Sequence, residues 1–264
     1  MSPLEKSQEL QSRKVSIGKK AIACITAYDY PTARIVDEAG VDLILVGDSL
    51  GMVVLGYPDT TYVTMEHMLH HTEAVSRGAE QALIVGDLPI HSYDTPQDAV
   101  ENARRLCDAG AEAVKLEGGV LQVDKVKEIT GASIPVLGHL GMLPQRVKKE
   151  GGYKKKGKSQ QEVDTLHEGA LALQEAGCFS LVLESVLPEV ARSITESLDI
   201  PTIGIGCESP ESGKTCDGEV AVITDVVGAY PWFVPPFATV RTNVAVSIAD
   251  AVKDYIKSTQ VADL

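Results

Sequence analysis

Apolar residues along this chain form short continuous runs, and most runs precede a segment whose apolar positions recur three or four residues apart. The runs lack the polar alternation of half-exposed strands, which is typical of strands buried on both faces. They span residues 21–29, 43–49, 82–89, 113–119, 134–141, 180–185, 200–206 and 220–228, the last with the weakest pattern. The alternation of strands and helices predicts a closed (β/α)8 TIM barrel, with an open doubly wound sheet as the alternative.

The segments between the runs carry signals for helix ends. Helical periodicity covers residues 31–40, 95–110 and 162–177. Each segment ends in Ala-Gly, and we expect Gly40, Gly110 and Gly177 to cap the helices because glycine adopts left-handed backbone conformations without strain. Thr95 before Pro96 predicts an N-cap followed by proline at the first helical position.

Four of the runs end in an acidic residue, namely Asp48, Asp87, Glu117 and Glu184. In a parallel barrel every strand ends on the same face, so these side chains should meet at one mouth, where barrel enzymes carry their chemistry. Carboxylates gathered there repel each other unless a positive charge joins them. Oxygen-only ligands indicate a hard divalent cation, and the pattern therefore predicts a Mg²⁺ site.

Length and charge narrow the class of protein. A chain of 264 residues fits one barrel domain over 1–264, with a short N-terminal extension over about residues 1–20. No apolar stretch is long enough to cross a bilayer and no secretory signal is recognisable, so we expect a cytoplasmic protein with no membrane partner. The net charge of −13 opposes binding to nucleic acid, which needs a basic surface.

Two loops and the cysteines leave alternatives open. The basic stretch 145–160 is either a solvated surface loop or a mobile flap that brings positive charge over an anionic ligand. A second long loop covers residues 207–219, and its two cysteines, Cys207 and Cys216, leave a disulfide between them as one option. The five cysteines are odd in number and show no metal-ligand spacing, which favours buried thiols in a reducing compartment.

An ordered set of motifs resembles a known family. The motifs are ITAYDYPTARIVDEAGVDLILVGDSLGMVVLGYPDT, VGDLPIHSY, AVKLEGG, PVLGHLGMLPQ, GGYKKKGKS, LVLESV and IPTIGIG. From about residue 15 to residue 245 the chain closely resembles the 3-methyl-2-oxobutanoate hydroxymethyltransferase family, also called ketopantoate hydroxymethyltransferase. The chain departs from the family pattern at CESPESGKTCDGEV, where about half a dozen residues are inserted before a DGQV-like segment.

The resemblance implies a barrel of the phosphoenolpyruvate/pyruvate superfamily type and a specific reaction. Such enzymes transfer a hydroxymethyl group from 5,10-methylenetetrahydrofolate to 3-methyl-2-oxobutanoate. The product is 2-dehydropantoate, an intermediate of pantothenate and coenzyme A biosynthesis. The resemblance also implies a large homo-oligomer, typically a decamer.

The resemblance further implies a Mg²⁺ site made by this chain's carboxylates. Asp48 and Asp87 match metal ligands that lie beside the substrate, and Glu117 matches a residue that supports the metal, through water. A 2-oxo acid can chelate Mg²⁺ through its keto and carboxylate oxygens, which leaves room for two protein carboxylates and water. Lewis-acid polarisation then acidifies the neighbouring C3–H and stabilises the enolate.

Four other residues match substrate-binding or catalytic positions of the family. Ser49 and Lys115 match residues that hold the substrate carboxylate, and His139 matches a histidine near the bound keto acid. Glu184 matches the proposed base that removes the C3 proton. The resemblance thus implies a metal-assisted, aldol-type formation of a carbon–carbon bond.

Each assignment has a structural alternative. Asp48 and Asp87 would also suit N-caps of the following helices. Lys115 and Glu117 share a strand face and would also suit a purely structural interior ion pair. A lone His139 is more often structural than catalytic. Glu184 would also suit a metal ligand or an arginine partner.

Two rival functions remain at this point. The first is a Mg²⁺-dependent phosphoenolpyruvate mutase or isocitrate-lyase-like carbon–carbon lyase of the same superfamily. Those lyases carry a catalytic cysteine in a KKCGH-type loop, whereas residues 148–158 read KKEGGYKKKGK. The second rival is a non-enzymatic scaffold, which has no need to keep like charges at one mouth.

Overall fold

A closed parallel barrel forms the core of the protein in the computed structural model, which describes residues 1–14, 21–208, 211 and 213–260. Within this part of the chain, eight strands pair in sequence order, each parallel to the next, which confirms the barrel and excludes the doubly wound sheet. The strands are β1 (Ile22–Thr26), β2 (Leu43–Val46), β3 (Leu83–Asp87), β4 (Ala113–Glu117), β5 (Val136–Gly141), β6 (Ser180–Glu184), β7 (Thr202–Ile205) and β8 (Gly218–Ala221).

Helices alternate with the strands through most of the described chain. They are α1 (Pro3–Gln11), α2 (Tyr30–Glu38), α3 (Leu50–Val53), α4 (Met65–Ser76), α5 (Pro96–Asp108), α6 (Val123–Gly131), α7 (Val147–Glu150), α8 (Gln160–Glu175), α9 (Pro188–Ser197), α10 (Ile223–Val226) and α11 (Val244–Gln260). The helices α2, α4, α5, α6, α8 and α9 provide the crossovers that parallel strands require.

The helix ends follow the signals in the sequence. Thr95 accepts a hydrogen bond from the Asp98 backbone N–H, and Asp98 reaches back to the Thr95 N–H, so the two form a capping box at the start of α5. Gly40, Gly110 and Gly177 follow α2, α5 and α8 with positive φ angles of 82°, 102° and 102°. These positions confirm the predicted caps.

On several strands, the face that fills the barrel becomes polar toward the carboxyl end. Leu83 and Val85 on β3 belong to the apolar core, and the next residue on that face is Asp87. On β4 the same alternation places Ala113 in the core and Lys115 and Glu117 above it. The strand period of two therefore carries ionisable side chains to the top of an apolar interior.

The amino-terminal helix α1 packs at the other end of the strands. Lys6 donates to the Ala82 carbonyl over 3.0 Å, at the start of β3, and forms an ion pair with Glu112 over 2.8 Å. The predicted extension is therefore helical over Pro3–Gln11, while residues 15–20 lie outside the described part of the chain.

The eighth strand differs from its prediction. The sequence predicts a strand over 220–228, whereas β8 covers Gly218–Ala221 and residues 223–226 form α10. Pairing with β7 sets this position, since Gly218 lies opposite Ile203. A Cβ at Gly218 would lie 2.5 Å from the Ile22 carbonyl oxygen, so only glycine permits the close approach of β8 to β1. A hydrophobic run cannot reveal that constraint.

The chain divides into two compact units, Met1–Val220 and Ala221–Leu264. In the second unit, backbone hydrogen bonds join Arg241 N to Val226 O over 2.8 Å and Val244 N to Val227 O over 2.9 Å. Its long helix α11 buries none of its residues. In the described residues, no helix is both long and apolar enough to span a membrane.

Candidate active site

The predicted site residues lie at the carboxyl ends of five neighbouring strands. Asp48 and Ser49 follow β2, Asp87 ends β3, Lys115 and Glu117 lie on β4, His139 lies on β5 and Glu184 ends β6. The side chains of Asp48, Asp87, Lys115, Glu117 and His139 are buried, and that of Glu184 is 16% exposed. The barrel thus brings together residues that are up to 136 positions apart in the chain, as the strand-end pattern predicts.

A buried ion pair joins two of these strands. Asp87 and Lys115 are register partners on β3 and β4, and Lys115 Nζ lies 2.5 Å from Asp87 Oδ2. Burial opposes the charged form of Lys115, but the charges of Asp87, Glu117 and Asp48 outweigh it and raise the lysine pKa. Burial raises the pKa of Asp48 well above its usual value, and the charges of Asp87 and Glu117 add to that effect. The cluster therefore carries strong carboxylate repulsion.

His139 lies between two carboxylates. Its Nδ1 is 3.6 Å from Glu117 Oε1 and its Nε2 is 3.2 Å from Glu184 Oε2. Neither contact has hydrogen-bond geometry. Burial opposes protonation, but the two carboxylates outweigh it and raise the pKa of His139 to about 9. The two carboxylates therefore favour the protonated imidazole.

Backbone contacts at the end of β5 fix the position of Glu184. Met142 N donates to the Glu184 carbonyl over 2.8 Å. Gly141 has a φ of 100°, and a Cβ there would lie 2.2 Å from the same carbonyl oxygen. Ser185 has a φ of 49°, an uncommon conformation for a serine, and accepts a bond from Lys156 N over 2.8 Å. The main chain around Glu184 is thus tightly constrained from both sides.

Three polar residues around the cluster have roles that sequence reasoning missed. The Tyr28 hydroxyl lies 2.8 Å from Ser49 Oγ. Gln145 Nε2 donates to Asp48 Oδ2 over 2.9 Å, and the Tyr93 hydroxyl donates to Gln145 Oε1 over 2.5 Å. Tyr28 and Gln145 are part of the family-like motifs ITAYDY and GHLGMLPQ, and Tyr93 ends VGDLPIHSY. The motifs could have drawn attention to these three residues, but they do not reveal which groups the residues contact.

The basic stretch 145–160 is tied to neighbouring loops in the structure. Lys148 donates to Thr61 Oγ1 over 2.7 Å and lies 4.2 Å from the centre of the Tyr62 ring. Lys156 forms an ion pair with Glu150 over 2.5 Å. These lysines therefore pair with protein groups, and the flap interpretation stays a prediction.

Tyr153 connects the same stretch to the site. The residue is 54% exposed, but its hydroxyl lies 3.6 Å from Met52 Sδ on α3, the helix that follows Ser49. Burial of the hydroxyl, together with the charges of Glu184 and Asp48, raises the pKa of Tyr153 to about 12. The tyrosine therefore lies within the electrostatic field of the carboxylate cluster.

The loop between β7 and β8 returns to the opposite end of the barrel. Asp217, just before β8, accepts from Thr202 N at the start of β7 over 2.8 Å and from Lys14 Nζ over 3.0 Å. Cys207 and Cys216 are free thiols, so the optional disulfide is not formed. The end of the predicted insertion therefore lies at the amino-terminal ends of the strands, away from the carboxylate cluster.

Two oxygen atoms in the cluster are suited to binding a hard cation. Asp87 Oδ1 and Glu117 Oε1 are buried and have no hydrogen-bond partner among the described residues. Such atoms carry a desolvation cost unless a ligand satisfies them. Within the same described ranges, no three His, Cys, Asp or Glu side chains are grouped as a ready metal site. Asp87 and Glu117 are thus the residues whose free oxygens could take part in holding a cation.

Solved structures of other proteins share the barrel. A putative phosphonomutase from Burkholderia cenocepacia matches 96% of this chain and 99% of its own, with a TM-score of 0.65 and 16% identity. A 2,3-dimethylmalate lyase, described as a phosphoenolpyruvate mutase/isocitrate lyase superfamily member, matches 100% of this chain and 90% of its own. Its TM-score is 0.64 and its identity 16%, so these likenesses establish the fold alone.

The fold and the buried ionisable cluster at the strand ends define a barrel enzyme. The sequence model described as ketopantoate hydroxymethyltransferase matches residues 6–263. The chain belongs to the ketopantoate hydroxymethyltransferase family and is an enzyme of the hydroxymethyltransferase type. This membership confirms the resemblance found in the motifs and excludes the non-enzymatic scaffold.

Curated relatives resemble the chain over most of its length. A 3-methyl-2-oxobutanoate hydroxymethyltransferase from Ignicoccus hospitalis is 54% identical over 244 residues, which are 92% of this chain and 90% of that protein. A protein of the same name from Acetivibrio thermocellus is 51% identical over 249 residues, covering 94% and 85% of the two chains. The lyase alternative is supported by the shared barrel only.

Proposed function

We propose that this enzyme transfers a hydroxymethyl group from 5,10-methylenetetrahydrofolate to 3-methyl-2-oxobutanoate. The product would be 2-dehydropantoate, which enters pantothenate and coenzyme A biosynthesis. The observation that carries the proposal is the partly exposed carboxylate of Glu184 beside a buried cluster in which two carboxylate oxygens have no hydrogen-bond partner among the described residues. The names of the relatives support the keto acid as substrate. Formation of 2-dehydropantoate from both substrates is the test.

The charge balance supports Mg²⁺ as the metal. Four carboxyl groups, those of Asp48, Asp87, Glu117 and Glu184, meet two cationic side chains at the mouth. Asp48 and Asp87 would hold the metal directly, and Glu117 would support it through water. When bound, Mg²⁺ supplies Lewis-acid polarisation of a substrate oxygen. Hard oxygen donors of this kind suit Mg²⁺ better than softer metals.

Ser49 and Lys115 suit the carboxylate of the keto acid. The Ser49 hydroxyl is oriented by Tyr28, over 2.8 Å, and can donate to an anion. Lys115 is held by Asp87 and keeps further N–H donors for a second partner. With its carboxylate held by these two groups, the keto acid would turn its C3 carbon toward Glu184, the partly exposed carboxylate of the cluster.

Glu184 is the residue best suited to remove the C3 proton. It is the most accessible carboxylate of the cluster, and its Oε2 lies 3.2 Å from Nε2 of His139. The proton would pass to Glu184, and the electron pair left on C3 would form a bond to the methylene carbon of the folate donor as the first of that carbon's two bonds to folate nitrogen breaks. Water would then replace the second folate nitrogen on that carbon: the water oxygen becomes the hydroxyl group of the product, and one proton of the water passes to the released nitrogen.

We propose that the enzyme assembles into a homo-oligomer through an exposed apolar surface. In α11, the residues Ile248, Val252, Tyr255 and Ile256 share one helix face and are 44–67% exposed. An apolar face of this kind marks an interaction site, and we propose that it joins copies of the chain in a homo-oligomer such as a decamer. The free cysteines support the reducing environment of the cytoplasm.

Disruption of that face should reduce the size of the assembly. Light scattering of the wild type should give a multiple of the 28.1 kDa chain mass, ten times that value for a decamer. Ile248→Lys/Val252→Lys should give a smaller particle, because charges in an apolar contact are costly. Asp254→Lys on the opposite face is the matched control and should leave the mass unchanged. A wild-type mass of one chain would refute the proposal.

A further inference from the structure

The side chain of Gln145 is buried at the centre of the site and is fully hydrogen-bonded. It lies on the 3-10 turn Pro144–Arg146 after β5 and is 6% exposed. Its Nε2 donates to Asp48 Oδ2 over 2.9 Å and to the Leu88 carbonyl over 3.0 Å. Its Oε1 accepts from the Tyr93 hydroxyl over 2.5 Å. Both amide hydrogens and the amide oxygen are therefore committed.

These partners fix which end of the amide faces Asp48. The Leu88 carbonyl can only accept a hydrogen bond, so Nε2 must point toward it. The Tyr93 hydroxyl supplies the donor for the amide oxygen. A flipped amide would place two acceptors against each other at Leu88. Asp48 consequently meets an N–H at Oδ2 and never the amide oxygen.

The main chain of the same residue holds a second carboxylate. Gln145 N donates to Glu117 Oε2 over 3.1 Å. Among the described residues, Glu117 Oε1 and Asp87 Oδ1 are then the buried carboxylate oxygens left without a hydrogen-bond partner. One residue therefore ties down one oxygen on each of two acids that come from β2 and β4 and are 69 positions apart in the chain.

We propose that Gln145 is a positioning residue for the cation site and that Tyr93 orients its amide. By holding Asp48 Oδ2 and Glu117 Oε2, Gln145 turns the other oxygen of each acid toward the cation. The proposal rests on the proposed function, in which Asp48 ligates Mg²⁺ and Glu117 supports it. Outer partners of this kind typically contribute about 10- to 100-fold to metal affinity.

Calorimetric titration of Mg²⁺ into the enzyme without keto acid tests the proposal. Gln145→Leu keeps the volume similar and removes the amide, and it should weaken Mg²⁺ binding about 10- to 100-fold. Tyr93→Phe removes only the hydroxyl and should weaken binding by a smaller factor. Gln145→Leu/Tyr93→Phe should bind Mg²⁺ no more weakly than Gln145→Leu alone, because Tyr93 acts through the amide.

Gln174→Leu is the matched control. Gln174 also holds two groups, since its Oε1 accepts from Asp199 N over 2.7 Å and from Ile200 N over 3.2 Å, away from the site. This control should lose stability and keep wild-type affinity for Mg²⁺. A purely structural role for Gln145 predicts the same result for Gln145→Leu as for Gln174→Leu.

The outcomes separate this inference from the proposed function. If the wild type binds Mg²⁺ and Gln145→Leu binds it with the same affinity, the inference about Gln145 is overturned, but the proposed function is not. If Gln145→Leu does not fold, unchanged affinity in Tyr93→Phe would overturn it instead. Absence of Mg²⁺ binding by the wild type would reject the metal part of the proposed function itself, and with it the role of Gln145.

Discussion

Glu184→Gln should abolish exchange of the C3 proton of 3-methyl-2-oxobutanoate with solvent deuterium. The amide cannot accept the proton as a base, and loss of a positioned general base typically costs about 10²- to 10⁴-fold in rate. The replacement is nearly isosteric, and the side chain is 16% exposed, so the fold should persist. Proton NMR in D₂O with Mg²⁺ and keto acid, but without the folate donor, measures the exchange alone.

A nearby glutamate provides the control for this experiment. Glu189 lies in the first turn of α9, five residues from Glu184, and is exposed. Glu189→Gln should exchange the C3 proton at the wild-type rate. Exchange at the wild-type rate in Glu184→Gln would contradict the assignment of Glu184 as base and leave it as a metal ligand or a structural partner of His139.

Lys115→Met should cause the largest loss of stability of any single substitution in the site. Removal of one partner from a buried ion pair typically costs about 3–5 kcal/mol, because the other charge stays buried and unpaired. Here Asp87 would lose its cation at 2.5 Å, and repulsion from Asp48 and Glu117 would remain. Denaturant unfolding measures the loss. C3 exchange should fall as well, since Lys115 would no longer hold the substrate carboxylate.

A double variant separates the structural role of Lys115 from its functional role. Asp87→Asn/Lys115→Met removes both charges of the pair and should recover most of the stability, but not the exchange activity. Lys6→Met is the control, because Lys6 pairs with Glu112 over 2.8 Å at the other end of the barrel. It should lose some stability and no activity. Wild-type exchange in the double variant would mean that the ion pair serves structure alone.

The sequence predicts the barrel and the convergence of the acids for one physical reason. Parallel strands buried on both faces leave a recognisable pattern of continuous apolar runs, and a barrel turns every strand end toward one mouth. Asp87, Glu117 and Glu184 lie on the faces of their strands that fill the barrel, so their convergence follows from a period of two. The metal is predicted from the oxygen donors of these acids and from the family resemblance, and the role of each acid comes from the resemblance; both stay predictions.

The remaining features depend on contacts that no local pattern encodes. Gln145 reaches Asp48 and Tyr93 from a loop after a different strand, so its role is visible only when the barrel is closed. The boundaries of β8 depend on the close approach of Gly218 to Ile22 rather than on hydrophobicity. The charge state of His139 depends on two carboxylates from neighbouring strands. Tertiary context overrides sequence pattern at each of these positions.

The most direct measurement is formation of 2-dehydropantoate from 3-methyl-2-oxobutanoate and 5,10-methylenetetrahydrofolate, with Mg²⁺ present and after its removal by a chelator. We expect product that requires both substrates and returns when Mg²⁺ is restored, because the buried carboxylates need a cation to act on the keto acid. No product with Mg²⁺ present, together with cleavage of a related 2-oxo acid, would contradict the hydroxymethyl transfer and favour the lyase chemistry.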